Sequence, residues 1–439
     1  MDEAVKCSDM CLCNCQSWGE LTPFDQTVGG RAKMGVSSTK TKRLYSVSNK
    51  QDDNTVVIYE RDPAGLFALL AEVKTGGKGT GDLEIPALEK DPTHPLMNGD
   101  DPLISANAIA QSKDGKSLVV VNPGDGSVSL LDQDESGNVE RHNSVSSSDR
   151  FPVSVAIHGK LIAVASVGET NDAGSISLMK ISEKGLISVD GSRRDLQTRP
   201  STINFSSDGK HVIVNELITG KINVFGIAGD MLSLEPVARI DSPRDKPDRF
   251  QAIPVGFAVI PSERGDIIAM SEARFLTPDF MLRGPTEGVK EVVQSPLYTW
   301  QTGSLSTYLL NVDGQISLIS GDVLTGSAIE GGELANCWVA TSPDGKTIWA
   351  VNALSSSISV FRVGENGAAA LVNDKAFKLP GEELFFSDIA IGQDGLEIYQ
   401  LVGNRGEIMI FDVADDGYLN HKQTIGGLPA LGAFGLIAE

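Results

Sequence analysis

Four residues of this 439-residue chain have types suited to moving a proton on an anionic molecule: Glu216, His94, Arg274 and Arg283. A carboxylate or an imidazole can carry the proton, while a guanidinium grips a carboxylate or phosphate through its fixed fork of donors. Glu216 closes the apolar run His-Val-Ile-Val-Asn-Glu, His94 stands between Thr93 and Pro95, and the two arginines fall in a long irregular stretch. Asn122, Asn336, Asn352 and Asp388, which begin or end other apolar runs, are the groups available to orient a small substrate. Each residue also has a plain structural reading, with Glu216 pairing to a neighbouring element, His94 solvated, and the arginines tying a loop down. No His-Glu-x-x-His, Gly-x-Ser-x-Gly or phosphate-loop signature accompanies them, because the run Gly76-Gly77-Lys78-Gly79-Thr80-Gly81 lacks the Gly-Lys-Ser/Thr ending.

The elements that position these residues come from a repeat. One unit recurs: an apolar strand, a tight Asp-Gly turn, a second apolar strand, then a third. Clear copies run 106–131, 202–225, 337–361 and 389–411, with turn glycines Gly115, Gly209, Gly345 and Gly395; weaker ones turn at Gly159 and Gly265. Period-two alternation and turns that need positive φ make these antiparallel hairpins. Six four-stranded blades are visible, and a seventh needs both chain ends. Residues 43–49, 55–60 and 66–74 supply three strands, and 432–438 (GAFGLIA) supplies the missing inner one. The expected fold is therefore all-β, a seven-bladed β-propeller whose ring is closed by the C-terminal strand joining the N-terminal blade, which removes exposed sheet edges.

In such a ring the links from strand two to three, and from blade to blade, share one face. The insertions 75–105 and 272–303 both fall there, with the upper ends of the strands bearing Asn122, Glu216, Asn336, Asn352 and Asp388. Long irregular loops in a compact domain concentrate function. That face is the expected site, a polar mouth. Residues 1–28 read as a Cys-containing tail, and 29–439 as one propeller.

A formal charge of −21, from 37 Lys and Arg against 58 Asp and Glu, excludes a nucleic-acid binder. No apolar run reaches membrane-helix length and the first residues lack a signal-peptide pattern, so no membrane partner is expected. Cys7, Cys11, Cys13 and Cys15 cluster in the tail without the paired spacing of a zinc site, and Cys337 stands far away. The expectations are a cytoplasmic monomer (secreted if a leader was removed) with a small-molecule substrate, no metal and no cofactor.

The segments SPDGKTIWAVNALSSSISVF (342–361) and SSDGKHVIVNELITGKINVF (206–225) resemble the lactonase-like seven-bladed propellers, the family of bacterial 6-phosphogluconolactonase and fungal 3-carboxy-cis,cis-muconate lactonizing enzyme. Gly29-Gly30-Arg31-Ala32 and Asn107-Ala108-Ile109 are similar to muconate cyclase-like members. The resemblance implies a cofactor-free lactone hydrolase or cycloisomerase, with Glu216 of Asn215-Glu216 inheriting an acid/base role. Where the family has Pro-Arg-His this chain has Pro200-Ser201-Thr202, and where it has Pro-His this chain has Pro152-Val153. An altered substrate, a catalytic arrangement drawing on the insertions, or a non-catalytic propeller binding a protein or small ligand on the same face all fit that departure.

Overall fold

The computed structural model describes residues 42–82, 102–170, 173–243, 249–276, 293–294, 299–327, 332–379 and 384–439. Their strands form seven antiparallel sheets of four or five strands and a small three-stranded sheet of Phe275–Leu276, Thr299–Trp300 and Val293–Gln294, and the only helical element among them is a 3-10 turn, Ala353–Ser355. Blade 1 pairs Arg43–Val47, Thr55–Arg61 and Phe67–Lys74 with the inner strand Phe434–Ala438. Blades 2 to 7 begin on the inner strands Ile109–Gln111, Pro152–His158, Pro200–Phe205, Ile253–Ser262, Asn336–Thr341 and Phe386–Ile391.

Each inner strand lies beside the next, and Phe386–Ile391 lies beside Phe434–Ala438, so the ring closes. The closure pairs Leu44 with Ala438 and Val47 with Phe434 across a bulge at Gly435, and the Ser46 hydroxyl donates to the Gly435 carbonyl at 2.7 Å. Asp-Gly turns do the work expected of them. Gly115, Gly209, Gly345 and Gly395 all have φ near +70°, and Asp114, Asp208 and Asp344 accept from the amide two residues on. That positive φ is the region only glycine enters without strain.

Second strands are apolar on both faces because each blade is covered by a neighbour. Val119, Val164, Val214, Ala350 and Leu401 are fully buried. Outer strands face solvent and carry the charges. At the upper end of six inner strands the pairing slips by one residue, at Gly435, at Val153, at Ser201 and Thr202, at Val255 and Gly256, at Cys337, and at Ser387 and Asp388. Such bulges turn side chains out of the sheet's alternation. Here they sit around the ring axis.

Candidate active site at the axial mouth

Second strands in blades 2, 4, 5 and 6 end on equivalent polar residues, Asn122, Glu216, Glu272 and Asn352, all fully buried. Asn122 donates to the hydroxyls of Ser127 and Ser129 at 3.1 and 2.7 Å, and Asn352 donates to Ser357 and Ser359 at 3.1 and 2.8 Å. Glu216 does the same job as an acceptor. Its carboxylate takes the Asn223 amide at 2.7 Å, the Thr198 N–H at 2.9 Å and the hydroxyls of Thr198 and Thr219 at 3.2 and 3.0 Å. All four donors are neutral, and none can exchange a proton with the carboxylate at ordinary pH. In each case the side chain ties the upper turn to the third strand.

Arg274 is 1% exposed and lies at the root of the second insertion. It pairs with Asp322, donates to the Phe250 carbonyl and to Ser304 Oγ, and sits 3.9 Å from Glu272. Arg249 lies 3.5 Å from Asp322 and donates to the Thr302 carbonyl at 2.6 Å, giving two buried cations and two buried anions in one cluster. Burial pushes the Glu272 carboxyl above its usual range, and Arg274 opposes the rise. Removing one member of such a cluster strands a buried charge, so its first role is to hold blade 5 together. Asn336 is fully buried and donates to the Ser304 carbonyl at 2.7 Å, joining blade 6 to blade 5. His94 and Arg283 lie outside the described residues.

Asp388 differs from all of these. It sits in the bulge of the blade 7 inner strand, 4% exposed, with the Gly435 N–H at 3.0 Å on its carboxylate. Burial raises its pKa to about 7, only partly offset by that amide and by its own backbone N–H. Beside it the Ser387 hydroxyl and the Gln400 carbonyl oxygen have no partner among the described residues. A carboxyl that titrates near neutrality beside unsatisfied polar atoms has the character of a catalytic acid or base.

An apolar cluster crosses the axis. Trp338, at the blade 6 bulge, packs edge-on to Phe385 and Phe434 at 6.2 and 5.9 Å, and its indole N–H donates to the Ser105 carbonyl at 3.2 Å. Residues from all seven blades join this one cluster, among them Phe434, Ala108, Val153, Leu217, Val255 and Phe386. Arg199, fully buried, donates to the Leu103 carbonyl at 3.1 Å. The guanidinium sought after Pro200 therefore stands immediately before it. Among the described residues the axis is filled by this apolar cluster, and the Asp388 carboxyl, held by the Gly435 amide next to Phe434, stands at its edge.

No protein-family profile matches the chain, and no curated protein does. Among solved structures, a candidate 6-phosphogluconolactonase from Bacteroides uniformis aligns over 91% of this chain and 99% of its own, with a TM-score of 0.61 at 16% identity. The periplasmic gluconolactonase of Pseudomonas aeruginosa aligns over 91% and 98%, with a TM-score of 0.60 at 16% identity. The chain shares the seven-bladed propeller fold of these two proteins. A hypothetical selenium-binding protein from Sulfolobus tokodaii also aligns over 90% of the chain, at 10% identity and a TM-score of 0.57, so this architecture serves unlike chemistries. Among the described residues no helix is long and apolar enough to cross a membrane.

Proposed function

We propose that this propeller opens the ring of a small lactone, with Asp388 as the general base. The supporting observation is the Asp388 carboxyl itself, raised by burial to about 7 and held by the Gly435 amide near the ring axis, with no cation paired to it among the described residues. In hydrolysis the carboxylate would take a proton from water as its oxygen attacks the lactone carbonyl. The acyl carbon–oxygen bond then breaks, and the proton returns to the leaving ring oxygen, giving the hydroxy acid. A base poised near pH 7 is half ionised at working pH and still strong enough to accept a proton. The resemblance in fold to a gluconolactonase and to candidate 6-phosphogluconolactonases points the same way. Nothing in the site favours ring closure over ring opening.

A second reading, a propeller that binds without turnover, is favoured by one observation: Glu216 is locked by four neutral donors. A panel of five- and six-membered sugar lactones, followed by acid release above the spontaneous rate, separates the two. The hydrolase reading requires turnover that Asp388→Asn abolishes while Glu216→Gln retains it. Lactone binding without acid release would establish the binder.

A further inference from the structure

At the lower end of the ring, where first strands turn into second strands, the hairpins of blades 4 and 5 enclose a cavity of about 140 Å³. Its lining holds two buried ionisable groups from different blades, His211 of blade 4, 8% exposed, and Asp266 of blade 5, 5% exposed. Asp266 accepts the Ser207 N–H at 2.7 Å and the Ser207 hydroxyl at 2.5 Å, both neutral donors, and no cation pairs with it among the described residues. The His211 backbone is hydrogen-bonded on both sides, but its imidazole makes no hydrogen bond among the described residues. A Cβ on Gly314 would lie 2.5 Å from the imidazole Nε2, so glycine there leaves room beside that nitrogen. Buried polar groups and buried charges ordinarily find partners. An acceptor and an anion both short of them at one cavity suit a ligand with N–H donors and a positive charge.

We propose that this cavity binds a small alkylammonium, its N–H donors on His211 and the Asp266 carboxylate and its stem on Leu310 and Val312. Size and donor arrangement select the class of cation. The cavity is several times what one water fills, and among the described residues no three His, Cys, Asp or Glu side chains are arranged to hold a metal ion. Leu310 is buried in the wall and Val312, 67% exposed, extends an apolar rim, while Asp208 and Glu263 add negative charge to the lining. The Lys210 ammonium does not fill the role, because it is held on Asp208 at 3.1 Å. The proton is the competing cation. His211 faces Asp208 and Lys210 of its own hairpin and Asp266 and Asp313 of blade 5, and burial holds its pKa below the ordinary 6.5. Once protonated the ring no longer accepts, and it becomes the counter-ion of Asp266 itself. The amine therefore binds above that pKa and leaves below it. None of these residues takes part in the lactone chemistry proposed above, and the test uses no lactone.

The test is calorimetric titration of the full chain in phosphate buffer at alkaline pH, with n-butylammonium chloride and with tetramethylammonium chloride, which has the charge but no N–H. The acidic surface attracts both, so the contrast between them isolates the site. Butylammonium should fill one saturable site, and tetramethylammonium should bind at least about tenfold more weakly, as expected for a lost charge-assisted hydrogen bond. His211→Leu should weaken butylammonium by roughly tenfold as well. A second readout needs no variant: butylammonium at about ten times its Kd should move the midpoint of the His211 ring titration, followed by NMR, down by about one pH unit. Equal affinity for the two cations, the absence of a saturable site, or an unmoved His211 midpoint would each overturn the proposal.

Discussion

Replacing Asp388 with Asn should stabilise the protein at alkaline pH and barely change it in acid. Burial raises the carboxyl from 3.8 to about 7. Between those values the folded chain keeps a proton that the unfolded chain has released, so stability falls as pH rises through that window and is flat above it. Each pH unit is worth about 1.4 kcal/mol, which makes the full loss about 4 kcal/mol, of which about 3 kcal/mol falls between pH 4.5 and pH 8. The carboxyl is almost wholly enclosed, so solvent screening takes little from that figure. Asn keeps the shape and an oxygen for the Gly435 amide but cannot ionise. Urea unfolding of wild type and variant at both pH values gives the comparison, with every other titration cancelling between the two proteins. The variant's advantage should be about 3 kcal/mol larger at pH 8 than at pH 4.5. An advantage independent of pH would refute the reasoning, because the carboxyl would then titrate alike in both states. A core that retains so unfavourable a group has the signature of function held at the expense of stability.

Glu216→Gln turns an NH2 toward the Thr198 N–H and should cost about 1–3 kcal/mol in urea unfolding, leaving any lactone turnover in place. Glu397 binds Arg61, Lys422 and Tyr399, and these partners hold its pKa down at about 2 despite burial. Its contribution is present above about 4.5 and lost as pH falls toward 2, so Glu397→Gln should cost about 2 kcal/mol at pH 7 and almost nothing at pH 2, measured by urea unfolding at both. Deleting Phe434–Glu439 uncovers the edge of Arg43–Val47 and removes Phe434 from the axial cluster, and thermal unfolding followed by circular dichroism should lose its cooperative transition.

The blades were legible because their causes are local. Asp114-Gly115, Asp208-Gly209 and Asp344-Gly345 set hairpins within a few residues, and period-two alternation on either side fixes the strands. Closure was legible by subtraction, since Arg43–Val47 had no inner partner and 432–438 had no blade. The positions of Asn122, Glu216 and Asn352 could be read as strand ends, but not their work. That work depends on hydroxyls and an amide lying seven residues on, at Ser129, Asn223 and Ser359, a spacing present in the sequence and overlooked. The axial cluster was beyond local reasoning. Trp338 reads as one more strand aromatic until the ring brings Ser105 to its indole, and Asp388 reads as a polar mouth residue until a bulge and the Gly435 amide enclose it. Arg199 escaped notice because the resemblance directed attention to the residue after Pro200.

The pH dependence of kcat/KM for lactone opening tests the central claim most directly, because that quantity reports the ionisation of the free protein. Activity should rise with pH through a single step near 7 and vanish in Asp388→Asn. A profile without a step in that region, or undiminished turnover in the variant, would contradict the assignment of Asp388 as the base.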